Sequence, residues 1–409
     1  MERRSRIVIL GAGFGGIYAH HYLHRQLHRR RDVEIVVISE NNYFLFTPLL
    51  HEVATGGLRM SNLVQPLRYI LGCCQTKFVE AKVQSINCSL QNVSTTSGSY
   101  DFDYCLVALG ATTNFFNTPG ASEHSYPLKT MGEASRLRNR LLSCLEMATN
   151  EPNPEHQQQL LSWVVVGGGP TGVELAAELV DLAQSYARAV RNCPINLLKV
   201  TLYQSARSLL PMFDVRMQRV SQRILEGKGV TIRLGVRVTS VEPGNITTDR
   251  DERITAGMVA WTAGVQPNSV AVEPVHLLDS RGRIPVTPYL TVAAFPRIFA
   301  IGDIASLADV PQTAQAAVRQ ARTAAANLVA KIDRRSLTAF TFKKQGDLVS
   351  IGRWQAVARI HGVLFKGRFA WWLWRTIYLS KLIGFPSKLR VAVDWTLDLF
   401  YPRDISRLS

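Results

Sequence analysis

Cysteine is scarce in this sequence, with 6 residues in 409. No two cysteines stand in a CxxC or CxxxxC spacing, so neither a redox-active dithiol nor a zinc site is predicted, and no other metal site is expected. Long apolar runs are also missing. None precedes the first predicted strand, which excludes a secretory signal, and none in the C-terminal part reaches the roughly 18 residues of a spanning helix. These absences predict a protein of a reducing compartment.

Acidic residues are too few to balance the basic ones. The 31 Asp and Glu stand against 47 Lys and Arg, which gives a net charge of +16. After residue 340 the chain carries 12 Lys and Arg against 4 Asp. Such an excess indicates nucleic acid, an anionic bilayer surface or anionic cofactors as partners. Nucleic acid is not expected, because the basic residues of the tail alternate with tryptophan and leucine at helical spacing.

Two glycine-rich turns, about 155 residues apart, dominate the organisation of the chain. The first, Gly11, Gly13 and Gly16, stands between a predicted strand and a predicted helix and matches the GxGxxG dinucleotide fingerprint. Its glycines permit the tight turn, the approach of a pyrophosphate and close helix packing, in that order. Glu40 ends the next strand, where a carboxylate can bind ribose hydroxyls. This unit is therefore predicted to bind FAD.

The second turn repeats the pattern with Gly167, Gly169 and Gly172 and is predicted to bind a nicotinamide dinucleotide. Gln204 occupies the position of the acid. A neutral amide does not repel the 2′-phosphate of NADPH, and Arg207 would be close enough to bind it. The alternative is a neutral substitution with NADH still preferred, and both interpretations stay open.

Other candidate site residues follow the two turns. Glu174 lies in the first turn of the second helix, where dipole stabilisation alone could explain it. The functional alternative places its carboxylate beside the nicotinamide or on a proton path to the acceptor. Asp303 ends a strand and could accept hydrogen bonds from a flavin ribityl chain. The alanine-rich helix predicted at about 313–331 would direct its N-terminus at the flavin. Gly110 and Gly264 are further cofactor-binding candidates.

Nearly the whole chain resembles the type II NADH:quinone oxidoreductases, single-chain, non-pumping flavoenzymes of respiratory membranes. The specific motifs are residues 41–50 and 53–56, Gly-Pro-Thr-Gly-Val-Glu at 169–174, Ile-Gly-Asp at 301–303, Ala-Gln at 314–315, and the basic, aromatic tail. The resemblance implies FAD contacts at Gly11, Gly13, Gly16, Glu40, Asp303 and Ala314. It also implies a quinone-side role for Gln315 and a nicotinamide-side role for Glu174.

Three positions depart from that family's pattern. Gln204 stands where glutamate is usual, which leaves the choice between NADH and NADPH open. Arg319 replaces a glutamine often found at the quinone entrance, so the type of quinone is open as well. Phe44 stands where histidine is common.

The tail predicts membrane association. Residues 363–382 mix three tryptophans with Lys366, Arg368, Arg375 and Lys381. On a second helix, Leu389, Val393, Leu397 and Phe400 share one face, with Arg390, Asp394 and Asp398 opposite. This combination is typical of a helix that lies in the headgroup plane of an anionic membrane. A soluble pair of dimerisation helices is the alternative, and a homodimer stays open.

The sequence thus predicts an α/β protein with two Rossmann-like dinucleotide-binding domains and a C-terminal amphipathic membrane-associating region. The expected ranges are 1–120 and 289–345 for the FAD-binding domain, 121–288 for the NAD(P)H-binding domain and 346–409 for the membrane-associating region. The expected activity is a flavin-dependent NAD(P)H:quinone oxidoreductase on the cytoplasmic face of the inner membrane. Sulfide:quinone reduction is excluded, since it needs a cysteine in the C-terminal half and none follows Cys193. A non-catalytic, membrane-bound sensor of nicotinamide redox state is the alternative of another class.

Overall fold

The computed structural model describes residues 4–72 and 75–407. In chain order its strands are β1 (Ser5–Leu10), β2 (Val33–Ser39), β3 (Tyr43–Leu45), β4 (Val64–Pro66), β5 (Thr76–Glu80), β6 (Val83–Asn87), β7 (Asn92–Thr95), β8 (Gly98–Asp101), β9 (Tyr104–Val107), β10 (Ala111–Thr113), β11 (Tyr126–Pro127), β12 (Ser162–Val166), β13 (Lys199–Gln204), β14 (Val230–Leu234), β15 (Val238–Glu242), β16 (Asn245–Thr248), β17 (Arg253–Thr255), β18 (Met258–Trp261), β19 (Val265–Pro267), β20 (Ala271–Glu273), β21 (Ile284–Pro285), β22 (Ile298–Ala300), β23 (Ala305–Ser306), β24 (Gly346–Ser350), β25 (Ala356–Ile360) and β26 (Val363–Lys366).

The helices are α1 (Phe14–Leu27), α2 (Leu50–Ala54), α3 (Met60–Leu63), α4 (Leu67–Ile70), α5 (Ala121–His124), α6 (Met131–Asn150), α7 (Pro154–Leu160), α8 (Pro170–Ala189), α9 (Val215–Gly227), α10 (Ala314–Ile332), α11 (Gly367–Lys381) and α12 (Phe385–Phe400). Among the described residues, no helix is both long and apolar enough to cross a membrane. Two of the six cysteines, Cys73 and Cys74, lie outside the described residues, and the other four are free thiols.

The first compact unit consists of Met1–Leu45, Val64–Thr112 and Val265–Lys344. Its main sheet has the order β22–β9–β1–β2–β5, and all neighbours are parallel. The last four residues of β1 are fully buried, as expected for a strand that is covered on both faces. Helix α1 packs against α10. This is the first predicted strand–turn–helix–strand unit, β1–α1–β2.

The second compact unit consists of Phe46–Leu63, Thr113–Gly264 and Gln345–Ser409. Its main sheet, β11–β18–β12–β13–β14, is again parallel throughout. It contains the second predicted unit, β12–α8–β13. An antiparallel sheet, β24–β25–β26, leads into α11 and α12. The α/β class with parallel sheets is therefore confirmed.

Candidate dinucleotide sites and a buried acidic cluster

The first glycine turn shows why each glycine is needed. Gly11 has a φ of +95°, and a Cβ atom there would lie 2.4 Å from the carbonyl oxygen of Ala108. A Cβ atom at Gly16 would lie 1.8 Å from the carbonyl oxygen of Gly11. A Cβ atom at Gly13 would meet nothing within 4 Å. The protein itself thus requires the outer two glycines, whereas the middle one leaves open space over the backbone, which fits the pyrophosphate of a dinucleotide.

The second turn repeats this geometry. Gly167 has a φ of +109°, and its Cβ would lie 2.8 Å from the backbone of Ala263. Gly172 would place a Cβ 1.8 Å from the carbonyl oxygen of Gly167, and Gly169 again faces open space. The residues of both turns therefore fit a dinucleotide.

The helices that follow the two turns begin without a side-chain cap. Gly13 precedes α1 and Gly169 precedes α8, and neither helix has a capping side chain. The positive end of each helix dipole is therefore suited to a phosphate. Helix α10 differs, because Thr313 accepts a hydrogen bond from the N–H of Ala316 at 3.2 Å. Its first turn is thus partly capped by the protein.

The residues at the strand ends differ between the two units. Glu40 is exposed directly after β2. Gln204 ends β13, and its Oε1 accepts a hydrogen bond from the N–H of Gly168 at 2.9 Å. Because the oxygen is engaged there, the amide NH₂ is the part of the side chain left to contact a nucleotide. Arg207 is exposed three residues further on.

The turn at the end of β22 is held by a buried glutamine. Gly302 has a φ of +73°, and its N–H donates to Oε1 of Gln320 at 2.7 Å. Gln320, only 2% exposed, projects from α10. Asp303 follows in a half-buried 3₁₀ turn, and its carbonyl accepts from Nε2 of Gln312 at 2.9 Å. This fixes the backbone around Asp303.

Gly110 and Gly264, which belong to neither GxGxxG turn, also have left-handed backbones. Gly110 has a φ of +70°, and its carbonyl accepts from the N–H of Asn268 at 3.2 Å. Gly264 has a φ of +80°, and a Cβ there would lie 2.6 Å from the ring of Phe116. Each turn therefore favours glycine.

The two predicted catalytic residues lie in different compact units. Gln315 is half-buried in the first turn of α10, directly after Ala314, in the first unit. Glu174 lies in α8 of the second unit and is buried, with its Oε1 3.1 Å from the N–H of Ser350, which donates to it. Burial raises the pKa of Glu174 well above its ordinary value, and the nearby Glu52 and Glu178 raise it further. A neutral carboxylic acid at this point can give up a proton.

Several buried ionisable residues around Glu174 were missed in the sequence. His51 and Glu52 lie in α2, and His51 Nδ1 is 3.6 Å from Glu174 Oε2. Arg403 forms an ion pair of 2.7 Å with Glu178. The available signal was the pair His-Glu inside the apolar run Leu-Leu-His-Glu-Val-Ala. Burying ionisable side chains costs free energy, so their presence in an apolar run indicates a role.

The tail departs from its predicted pattern at the aromatic residues. Trp371, Trp374 and Trp395 are buried rather than interfacial. Arg375, expected at a basic surface, is buried as well, and its guanidinium lies 3.7 Å from the centroid of the Trp371 ring. The tryptophans pack around this arginine because a ring face stabilises a cation that has lost its water.

Two known protein families match most of the chain. The pyridine nucleotide-disulphide oxidoreductase family matches residues 5–321, and the NDH2 C-terminal domain matches residues 344–404. The Mycobacterium tuberculosis type II NADH:quinone oxidoreductase Ndh is 31% identical over 98% of this chain and 89% of its own length. The Saccharomyces cerevisiae external NADH-ubiquinone oxidoreductase 2, mitochondrial, is 28% identical over 99% of this chain and 82% of its own.

A solved structure has the same fold. The structure of NDH2 from Plasmodium falciparum in complex with NADH superposes with a TM-score of 0.90, covering 99% of this chain and all of the other, at 20% identity. The family matches and the 31% identity to the Mycobacterium tuberculosis enzyme confirm the predicted family. This chain is an enzyme of the pyridine nucleotide-disulphide oxidoreductase family and belongs to the type II NADH:quinone oxidoreductases.

Proposed function

We propose that this enzyme oxidises NADH or NADPH through FAD and reduces a membrane quinone by two electrons, without pumping protons. When bound, FAD would accept a hydride from the nicotinamide and supply two electrons to the quinone. The observation that carries the proposal is the pair of glycine turns, each with open backbone at its middle glycine and an uncapped helix behind it.

The first turn is proposed to hold FAD. Gly13 would let the pyrophosphate reach the backbone, and the start of α1 would stabilise its charge. Glu40 would bind ribose hydroxyls at the end of β2. Asp303, which follows the edge strand β22 of the same sheet, would contact the flavin together with Ala314. Gly110 would contact it from the turn after β9, the neighbouring strand. The proposed FAD-binding domain takes residues 1–120 and 289–345.

The second turn is proposed to hold the nicotinamide dinucleotide within residues 121–288. Gly169 and the start of α8 would bind its pyrophosphate, and Gly264 would line the site. The NH₂ group of Gln204 would donate to the ribose or to a 2′-phosphate. Arg207 would bind that phosphate when NADPH is the substrate.

Glu174 and Gln315 are proposed as the residues on the substrate side. The neutral carboxyl of Glu174 would deliver a proton towards the reduced quinone. Gln315 would orient the quinone by hydrogen bonding. Steady-state oxidation of NADH and NADPH with ubiquinone and menaquinone analogues, together with the flavin absorbance spectrum, tests the proposal. Flavin that bleaches with NADH while no quinone is reduced would overturn it.

Residues 346–409 are proposed to attach the enzyme to the cytoplasmic face of the inner membrane. Helix α12 exposes Leu389, Val393, Leu397 and Phe400, the predicted apolar face. Its opposite face is turned into the protein, where Asn62 donates to Asp394 at 2.6 Å. A helix that buries its carboxylates and exposes its leucines is suited to an acyl-chain boundary.

Point substitutions test membrane attachment better than truncation, because Trp395 and Arg403 belong to the core of the second unit. We expect the double variant Leu389→Gln, Phe400→Gln to lose most of its binding to vesicles containing anionic lipid, measured by flotation. Met147→Gln, at an exposed apolar residue of α6, is the matched control and should bind like the wild type. Equal flotation of both variants would contradict the proposed surface.

A further inference from the structure

A cavity of about 260 Å³, which we call the C-terminal cavity, lies in the second compact unit. Its walls come from α8, the residue after α9, the turn between β24 and β25, and the end of α12 with the segment that follows. It lies at the C-terminal half of α8, whereas the second glycine turn precedes the N-terminus of that helix. Drug-sized ligands occupy roughly 300–1,000 Å³, so this cavity suits a smaller group.

Helix α8 contributes one of its faces to the wall. Asp181, Gln184, Ser185 and Arg188 are spaced by three or four residues, so their side chains lie along the same side of the helix. Ser185 is buried, and its Oγ accepts a hydrogen bond from the N–H of Arg403 at 2.9 Å. Gln184 and Arg188 are exposed. Within the described part of the chain, neither of these two side chains has a hydrogen bond or an ion pair, so both can bind a ligand.

The turn between β24 and β25 holds Arg353 in the wall. Gly352 has a φ of +74°, and a Cβ atom there would lie 2.2 Å from Oδ2 of Asp181, so only glycine lets the turn pack this closely on α8. The N–H of Arg353 donates to the same oxygen at 2.7 Å. Trp354 follows with a φ of +66° and also lines the cavity. The backbone that carries the arginine is therefore fixed.

The guanidinium of Arg353 is only partly satisfied by the protein. Its Nη2 donates to the carbonyl oxygen of Leu399, in the last turn of α12. Its Nε is buried and has no hydrogen-bond partner among the residues that the structure describes. A buried donor without a partner costs free energy. An oxygen atom of a ligand in the C-terminal cavity would remove this cost.

Two of the four cations in the wall are neutralised by carboxylates. Lys228 contacts Asp181 at 2.6 Å, and Arg403 contacts Asp398 at 3.4 Å. These are the two carboxylates of the wall, so neither of them is left to repel an anion. Two further buried charges touch the second pair and cancel each other: Glu178 and Arg375.

Arg188 and Arg353 are the two cations of the wall that, among residues 4–72 and 75–407, have no carboxylate partner. Arg188 lies in the last turn of α8, and Arg353 donates to the last turn of α12. The C-terminus of a helix carries roughly half a negative charge, so the two helix ends together offset about one of the two positive charges. The cavity keeps an excess of about one positive charge, which matches a phosphodiester.

The C-terminal cavity adjoins the apolar face of α12. Val393 and Leu397 are exposed at four-residue spacing, and the next residue at that spacing, Tyr401, is 65% exposed and lines the cavity. On another wall, the ring of Trp354 packs 6.3 Å from that of Trp372, which is 51% exposed. The lining therefore continues at two places into exposed apolar or aromatic side chains. A ligand with a charged group and apolar chains fits this arrangement.

We propose that the C-terminal cavity binds the phosphate of an anionic phospholipid through Arg188 and Arg353, with the acyl chains along the exposed face of α12. The inference rests on the proposed membrane attachment and adds the lipid class that it recognises. Phosphatidylglycerol, a diester with one negative charge, satisfies the charge balance. Phosphatidylcholine does not, because its own ammonium group neutralises its phosphate. A soluble phosphate ester has no chains to bury and should bind more weakly.

Short-chain lipids test the site without a bilayer. Dihexanoyl-phosphatidylglycerol, kept below its micelle concentration, should bind the full-length flavoprotein at one site in calorimetry, whereas dihexanoyl-phosphatidylcholine should not bind. We expect Arg188→Gln and Arg353→Gln each to weaken this binding about tenfold or more. Arg390→Gln is the matched control, since it removes the same charge from an exposed residue of α12 outside the cavity, and it should bind like the wild type.

Vesicles separate the site from general attraction to a charged surface. On phosphatidylcholine vesicles that contain phosphatidylglycerol, Arg390→Gln should weaken binding by about fivefold or less, because a basic residue near an anionic surface contributes about that much. Arg188→Gln and Arg353→Gln should weaken it more. On vesicles of phosphatidylcholine alone, the three variants and the wild type should bind alike.

Each outcome decides one claim. A wild type that floats with no vesicles overturns the proposed membrane attachment and the lipid site that rests on it. A wild type that floats, while both cavity variants bind the short-chain lipid as tightly as Arg390→Gln, overturns the lipid site alone. Glycerol 3-phosphate that binds as tightly as the short-chain lipid overturns the lipid as the source of the phosphate. Should Arg353→Gln lose its fold, because α12 loses the donor to Leu399, the exposed Arg188→Gln decides by the same comparison.

Discussion

The two glycine turns are nearly identical in geometry, whereas the residues around them are not. In both, the first glycine has a left-handed backbone and the middle one faces open space. A Cβ atom on the third glycine would lie 1.8 Å from the carbonyl oxygen of the first. At the strand ends, however, an exposed Glu40 contrasts with a Gln204 that is bonded to its own turn. The turn therefore provides a general phosphate site, and the surrounding side chains determine which nucleotide it accepts.

The helices behind the turns differ in the same way. Helix α1 buries His20, whose Nε2 lies 3.0 Å from Thr76 Oγ1. Helix α8 buries Glu174 and Glu178. Similar local folds thus contain ionisable groups of opposite type. A base, His20, is kept neutral in the first unit because burial lowers its pKa, and an acid, Glu174, is kept protonated in the second because burial raises its pKa.

The largest expected effect concerns the middle glycines. Gly13 and Gly169 have φ values of −79° and −74° with extended ψ, so valine fits the backbone at both positions. We expect Gly13→Val to fold but to retain less than about a tenth of its flavin, because the side chain occupies the place of the pyrophosphate. Gly169→Val should keep its flavin and raise the KM for NADH about tenfold or more.

Flavin absorbance and initial rates measure this difference. Gly11→Val is the contrasting control, since its backbone is left-handed and its Cβ would clash with Ala108, and it should not fold. Full flavin occupancy in Gly13→Val would show that the assignment of FAD to the first turn is wrong. Loss of flavin in Gly169→Val would show that the turns do not act separately.

The next effect is the pH dependence of stability, with opposite signs in the two units. Burial, helped by His24, lowers the pKa of His20 to about 4, below its unfolded value of 6.5. The unfolded chain therefore takes up the proton first, and the first unit loses stability as pH falls from about 6.5 to 4. For Glu52 the folded pKa is raised, so the second unit loses stability as pH rises from about 4.5 to 8. Each slope is up to about 1.4 kcal/mol per pH unit.

Different probes can follow the two units separately. All seven tryptophans lie in the second compact unit, so tryptophan fluorescence reports its unfolding. Flavin release would report the first. We expect His20→Asn to flatten only the acidic decline of the flavin signal and Glu52→Gln only the alkaline decline of the tryptophan signal. Parallel changes of both signals in either variant would contradict the assignment of each slope to one unit.

Sequence reasoning succeeded where one local pattern determines the structure. Each GxGxxG turn, with its flanking apolar runs, was sufficient to predict the two parallel sheets. The same reasoning is ambiguous where one local pattern fits two structures. Residues 150–158 look like a polar linker, yet α7 begins there, because Asn153 caps the helix and Pro154 suits its first position.

The buried ionisable residues around Glu174 could not be predicted for a different reason. His51 and Glu52 lie far from Glu178 and Arg403 in the sequence, and only the tertiary fold brings them together. The tail shows the same limit. Its composition predicts an interfacial aromatic surface, but Trp371 and Trp395 pack around Arg375 in the core, and Trp372 stays exposed together with phenylalanine and aliphatic residues.

The smallest expected effect concerns nucleotide choice, and it tests the comparison of the two strand ends. Gln204→Glu keeps an oxygen that can accept from Gly168 N–H, so the turn should be preserved. The added carboxylate would face the 2′-phosphate of NADPH in a partly desolvated site. We expect kcat/KM for NADPH to fall about ten- to hundredfold, about 1.4–2.8 kcal/mol, with little change for NADH. The reciprocal variant Glu40→Gln, in the first unit, should weaken flavin retention without changing the ratio of NADPH to NADH activity. If the wild type already rejects NADPH, another group discriminates, and the amide of Gln204 serves only to hold the glycine turn.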